Sequence, residues 1–246
     1  PTGDLSLEAE LAVIRAALAN TYGRFEDALR HAQYALSHLP SANRSLQAIA
    51  SFIGAGAQRD SGNINAAIAG YEQAIPLCRA ARLPLPEMLS RAHLGYLYMT
   101  QGQLRRAEAI TRPALDFPAN HPAMSAAQAA LGEVLMEWNQ LEESEQHLHQ
   151  ALRLAKQSGH NAALVRILLL FSRLRRAQQD LAEAQIMLEA ASVEILQGTP
   201  AWMEPLLLAE KIWFELEQGS LDAAERLLEG RTKHIDLAEG HVREVV

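Results

Sequence analysis

Few side chains in this sequence have the types and spacing to do chemistry. His147 and His149 stand two residues apart on a stretch that reads as helix, so they point to different sides, unlike the i, i+4 pair that holds a metal ion on one helix face. Both are expected to face solvent. Cys78 lies among Ile75, Leu77 and Leu83 with no histidine close by in sequence, which reads as a buried or half-buried structural thiol and not as a nucleophile. As the one cysteine of 246 residues it excludes an internal disulfide or a multi-cysteine zinc site, and it suits a reducing compartment. The stretch GAGAQRDSG, Gly54 to Gly62, has neither the spacing nor the lysine of a phosphate cradle, and no G-x-x-x-x-G-K-S/T occurs anywhere. The NRS at Asn43 is a glycosylation sequon, irrelevant without export. Together these residues make no catalytic constellation, and no metal or cofactor is expected on this chain.

The remaining candidates are charged and aromatic residues that could bind, and what they can do depends on the elements that carry them. Apolar residues make up 49% of the chain, enough for a large core. They are mostly Ala and Leu, with aromatics at 5% and no stretches rich in Val, Ile and Thr, so helices are expected throughout. A net charge of −7 gains little from phosphate backbones, which argues against direct nucleic-acid binding. The strongest apolar run, Ala163 to Phe171, is interrupted by Arg166 and followed by Arg173, Arg175 and Arg176, well short of the roughly 20 residues of a membrane span. With no basic segment followed by an apolar one at the start, no export is expected and the location reads as cytoplasmic. Both ends look cut: Pro1 is not an initiator Met, and HVREVV reads as the start of another helix.

The sequence repeats. YGRFEDAL, SGNINAAI, QGQLRRAE, WNQLEESE, QQDLAEAQ and QGSLDAAE superimpose on Phe25, Ile64, Leu104, Leu141, Leu181 and Leu221, the spacing of helical-pair arrays. Gly23, Gly62, Gly102, Asn139 and Gly219 fall where a first helix must stop in a left-handed residue. Ala28, Ala67, Ala107, Ser144, Ala184 and Ala224 come one turn into the second helix, where a small side chain lets two helices approach. Pro40, Pro84 and Pro86, Pro118 and Pro122, SGHN at Ser158 and TPAWMEP at Thr199 separate one pair from the next. The expectation is an all-α superhelical solenoid of six helix pairs, twelve helices in all. It forms one domain over 1–246, with repeats near 5–40, 44–82, 86–118, 122–157, 161–197 and 203–236 and the start of a truncated helix at 237–246.

Repeat three, LSRAHLGYLYMTQGQLRRAEAITRPAL, resembles a tetratricopeptide repeat: Leu94-Gly95, Tyr98, Gly102, Ala107 and Ala114 stand at that family's signature offsets. Repeat four has the matching Leu131-Gly132 and Ala151. The repeats exceed the usual length of about 34 residues, and the run from Ala130 to Ala191 is similar to the repeat region of the large MalT-like, LuxR-family ATP-dependent regulators. The resemblance implies a sensor of an inducer that controls self-association. It also implies an ATPase module before the array and a helix-turn-helix module after it. Neither is in this sequence, so ATP and DNA are expected only on missing neighbours. Tetratricopeptide modules that clamp a C-terminal carboxylate use paired Lys and Asn, where this chain has Val13, Ala17, Phe52, Gly56, Ala92 and Tyr96; that partner is disfavoured.

Helical spacing places Arg59, Tyr96, Glu133, Glu137, Arg166, Arg173 and Arg176 on the inner side of their first helices. Two readings of this groove stay open. It is a solvated face with cross-repeat ion pairs, or it holds a small-molecule inducer or a protein or peptide partner, with Tyr96 as a flat platform and the charges as grips. Trp202, Trp213 and Phe214 near the C-terminal end form a second candidate surface, packing against a further repeat or serving self-association. Besides the regulator reading, a free-standing adaptor that scaffolds two proteins fits the same residues. An enzyme whose site is not visible in the sequence is the third class.

Overall fold

A computed structural model describes residues 2–117, 121, 123–159, 161–197 and 203–232. Among them are twelve α-helices and no strand. The helices form two compact units, Pro1–Phe117 and Pro118–Val246.

The N-terminal unit contains α1 (Thr2–Thr21), α2 (Phe25–His38), α3 (Arg44–Asp60), α4 (Ile64–Ala80), α5 (Pro84–Thr100) and α6 (Leu104–Thr111). Each helix packs on the next, and the first helices α1, α3 and α5 also touch in turn. The C-terminal unit repeats the plan with α7 (Met124–Glu137), α8 (Leu141–Ser158), α9 (Asn161–Ala177), α10 (Leu181–Leu196), α11 (Glu204–Glu217) and α12 (Leu221–Thr232). These are the six expected pairs. The truncated helix expected at 237–246 lies outside the described residues.

The turn inside each pair follows from one left-handed residue. At Gly102, φ is +71° and the next amide, Gln103 N–H, reaches back to donate to the Tyr98 carbonyl at 2.8 Å, closing the orphan carbonyls of the last turn. Asn139 does the same at φ +58°, with Gln140 N–H on the Leu135 carbonyl at 2.9 Å. In repeat five the position is held by Gln179 at φ +62°, and Asp180 then caps α10 by accepting from Glu183 N–H at 3.1 Å.

The small residues set how closely the paired helices approach. Ala28, Ala67, Ala107, Ser144, Ala184 and Ala224 are all buried. Opposite them, Gly95 in α5 faces Thr111 of α6: a Cβ there would lie 1.9 Å from Thr111 Oγ1 and 3.3 Å from the Ala107 carbonyl oxygen. In repeat four, Ser144 Oγ donates to the Gly132 carbonyl at 2.7 Å, tying α8 to α7. Repeat three departs from the pattern. Its second helix ends early and continues as a 3₁₀ turn, Arg112–Asp116, because Pro113 has no N–H to give the ladder.

Candidate functional site: an arginine and glutamate lattice

The charged residues of the C-terminal unit come from three successive first helices and lock together. Glu133 on α7 is buried, with its carboxylate accepting from Arg173 Nη1 at 2.7 Å and Arg166 Nη2 at 3.2 Å, both on α9. Glu137, one turn on, takes the other Arg173 amino group at 3.0 Å. On the far side of α9, Arg176 gives one amino group to Glu210 at 2.7 Å and the other to Glu217 at 3.0 Å, both on α11. Arg173 Nε stands 3.9 Å from Glu210 as well, so this carboxylate serves two guanidinium groups. The basic helix is thus sandwiched between two acidic ones.

Such a lattice is set by burial and charge together. Burial works against the Arg173 cation, but Glu133, Glu210 and Glu137 outweigh it and raise its pKa. Burial raises the Glu210 carboxyl; Arg173 and Arg176 oppose the rise, and Glu133 and Glu217 add to it. Four carboxylates face three guanidinium groups here. Arg176 is nearly fully buried and its Nε has no hydrogen-bond partner. An open cleft of about 490 Å³ lies at this end of the lattice, with Glu137, Arg173, Arg176, Gln179 and Glu217 around a floor that includes Met136.

Arg59 and Tyr96 belong to the N-terminal unit and have different company. Arg59 forks onto Asp60 at 2.7 and 3.0 Å. Burial lowers its pKa, but Tyr71, Asp60 and Tyr96 together raise it. Tyr71 is fully buried beneath Gly56, burial holding its phenol at about 12, and it stands among the rings of Phe52 and His93. Tyr96 is half-buried.

Several expectations need adjustment. His147 is not a solvent-facing residue: its side chain is 18% exposed and Nδ1 is hydrogen-bonded to Gln128 Oε1 at 2.6 Å, because the α7 face beneath it offers a polar partner. His149 is exposed and leans on the Phe171 ring. Cys78 is buried, and burial with the nearby Glu87 pushes its thiol up to about 11. The aromatic pair on α11 splits. Trp213 is 56% exposed, whereas Phe214 is buried in the core with Val165, Leu169 and Leu207 and presents no surface. Trp202 lies outside the described residues. Among those residues no cluster of three or more metal-ligating side chains occurs, and no helix is long and apolar enough to cross a membrane.

Glu210 and Glu217 are the members of the lattice that sequence reasoning missed. Aligned on Leu141, Leu181 and Leu221, Glu217 stands at the register of Glu137, a signal the sequence did contain. Glu210 has no acidic counterpart in the earlier repeats at its register, and only the packing reveals it.

Residues 9–245 match the family described as the MalT-like TPR region. No curated protein is similar enough to count as a relative. Among solved structures, aspartyl phosphate phosphatase F from Bacillus subtilis superimposes with a TM-score of 0.72 at 14% identity, over 94% of this chain and 61% of that one. BtubC from P. vanneervenii gives 0.59 at 16% identity, over 90% of both chains. A Rap protein complexed with competence and sporulation factor gives 0.59 at 15%, over 90% of this chain and 65% of that one. At such identities these likenesses establish the helical-repeat fold and nothing more.

Proposed function

The chain belongs to the MalT-like TPR family, and from that premise we propose that it is the sensing and oligomerisation-controlling repeat region of a LuxR-family transcription regulator, working in the cytoplasm. The observation that supports the reading is the lattice joining α7, α9 and α11 through Glu133, Arg173 and Glu210. A ligand or partner that takes over one of these groups in the neighbouring cleft changes which carboxylate holds which guanidinium. Its binding energy then favours one packing of the three repeats over another, which is the population shift a sensor requires. In this reading residues 1–246 act as one array that does no chemistry and needs no cofactor of its own; ATP and DNA are handled by other modules of the same polypeptide. The occupant is a small-molecule inducer or a peptide or protein partner. The Rap structure, a helical-repeat protein in complex with a named factor, supports the second kind.

Two measurements test this. Glu133→Gln and Arg173→Gln are each expected to abolish the thermal shift produced by a ligand found by screening oligosaccharides and short peptides; an unchanged response removes the lattice from the mechanism. An antibody against the chain, used on lysate of the source cells, is expected to detect a polypeptide several times larger than 27.0 kDa. A band near that mass instead favours the free-standing adaptor.

A further inference from the structure

The lattice leaves the first helix unused, and α1 has two distinct faces. Ala9, Ala12, Val13, Ala16 and Ala19 are buried toward α2 and α3. On the opposite face Leu7, Leu11, Ile14 and Leu18 are between 40% and 58% exposed. Single exposed leucines are ordinary on a protein surface; four in line along one helix are not. Their 4-3-4 spacing is that of the seam along which two helices interlock side chains.

The flank of this stripe carries two opposite charges. Glu8 and Arg15 are two turns apart on the same side of the seam. Glu8 is positioned by Tyr34, whose hydroxyl donates to Oε2 at 3.1 Å, while Arg15 makes no salt bridge among the described residues. An exposed guanidinium with no salt bridge among the described residues, beside an apolar seam, is available to a carboxylate from outside.

We propose that this face of α1 packs against the same face of a second copy of the chain, antiparallel about a two-fold axis between Ala12 and Val13. The axis places Leu7 against Leu18 of the second copy and Leu11 against its Ile14, each contact occurring twice. In an antiparallel pair like flanks face each other. Arg15 then comes level with a point about 3 Å from Glu8 of the second copy along the helix axis, within the reach of its side chain. The helix is its own complement in both apolar order and charge, which is why a second copy is the occupant. The inference is independent of the lattice and of any ligand.

The test is the mass of the 246-residue chain in solution. By sedimentation or light scattering at about 50 µM, a range where a modest interface is populated, the mass is expected to be that of two copies. Ile14→Glu is expected to give one copy with unchanged helical circular dichroism, and Trp213→Ala to leave the dimer intact. Arg15→Glu weakens the dimer about tenfold because each substitution acts twice in a two-fold interface, and adding Glu8→Arg restores it. A chain that stays monomeric at about 200 µM overturns the proposal and leaves this face to another segment or protein. So does a dimer indifferent to Ile14→Glu, or one lost with Trp213→Ala. Rescue of Arg15→Glu by Glu10→Arg in place of Glu8→Arg means a parallel seam and overturns it too.

Discussion

Individual side chains in this molecule report on burial more than on reactivity. With its thiol held at about 11 and its sulfur beneath the Ala48 carbonyl, Cys78 is expected to react with iodoacetamide at pH 8 at least about a hundredfold more slowly in the native chain than in denaturant. Glu145 is the opposite case. Hydrogen bonds from Arg175 and Gln178 lower its pKa from 4.5 to about 2. A carboxyl depressed on folding stabilises the native state above its unfolded pKa and loses that contribution as pH falls through the folded one. Glu145→Gln is therefore expected to cost about 1–2 kcal/mol at pH 7, allowing for the partial exposure of the group. In urea titrations the gap to the parent should close between about pH 4.5 and pH 2. In the lattice, Glu133→Ala removes the buried acceptor that Arg173 and Arg166 share and is expected to cost about 3 kcal/mol in the same assay. At this scale the sequence announced only part of the site. Glu133, Glu137, Arg166, Arg173 and Arg176 could be placed by helical spacing. Glu210 escaped because the earlier repeats carry Ala130 and Leu170 at its register, so the repeat pattern gives no hint of a carboxylate there.

The helices themselves were legible because each is bounded by a residue whose backbone chemistry admits few alternatives. Glycine or asparagine at the left-handed position, and a small residue one turn later, identify a pair wherever they occur. Gln179 is the exception that shows the rule's cost: a side chain with a Cβ occupies φ +62°, and Gln179→Gly is expected to raise stability by about 0.5–1 kcal/mol, seen as a higher melting temperature. Gly95 is a requirement of a different kind, space. Gly95→Ala drives a methyl into Thr111 and is expected to cost about 2 kcal/mol, with part of the loss recovered in Gly95→Ala combined with Thr111→Ala. The 3₁₀ end of repeat three was not foreseen. Pro113 was visible, but its effect depends on how the chain leaves α6, which no local spacing encodes.

For the molecule as a whole, periodicity revealed the number of pairs but not their grouping into two compact units of three. Beside their apolar cores the units differ in what lies between their helices: rings and small residues around Tyr71 in one, the ionic lattice in the other. Three stacked pairs are the usual minimum for an independent repeat array, so residues 1–117 expressed alone are expected to be helical and to melt cooperatively by circular dichroism. The C-terminal unit carries a restriction that ordinary repeat arrays lack. In a solenoid of interchangeable parts a whole period can be deleted and the ends rejoined, and here Leu141, Leu181 and Leu221 stand 40 residues apart, so removing 161–200 preserves register. It also removes the three arginines and leaves Glu133 and Glu137 to meet Glu210 and Glu217, like charges with nothing between them. The alternation of acid, base and acid works as an assembly order: skipping repeat five or exchanging it with a neighbour sets carboxylates against carboxylates, a conflict that acid pH relieves, whereas duplicating it sets arginines against arginines, a conflict that acid pH leaves in place.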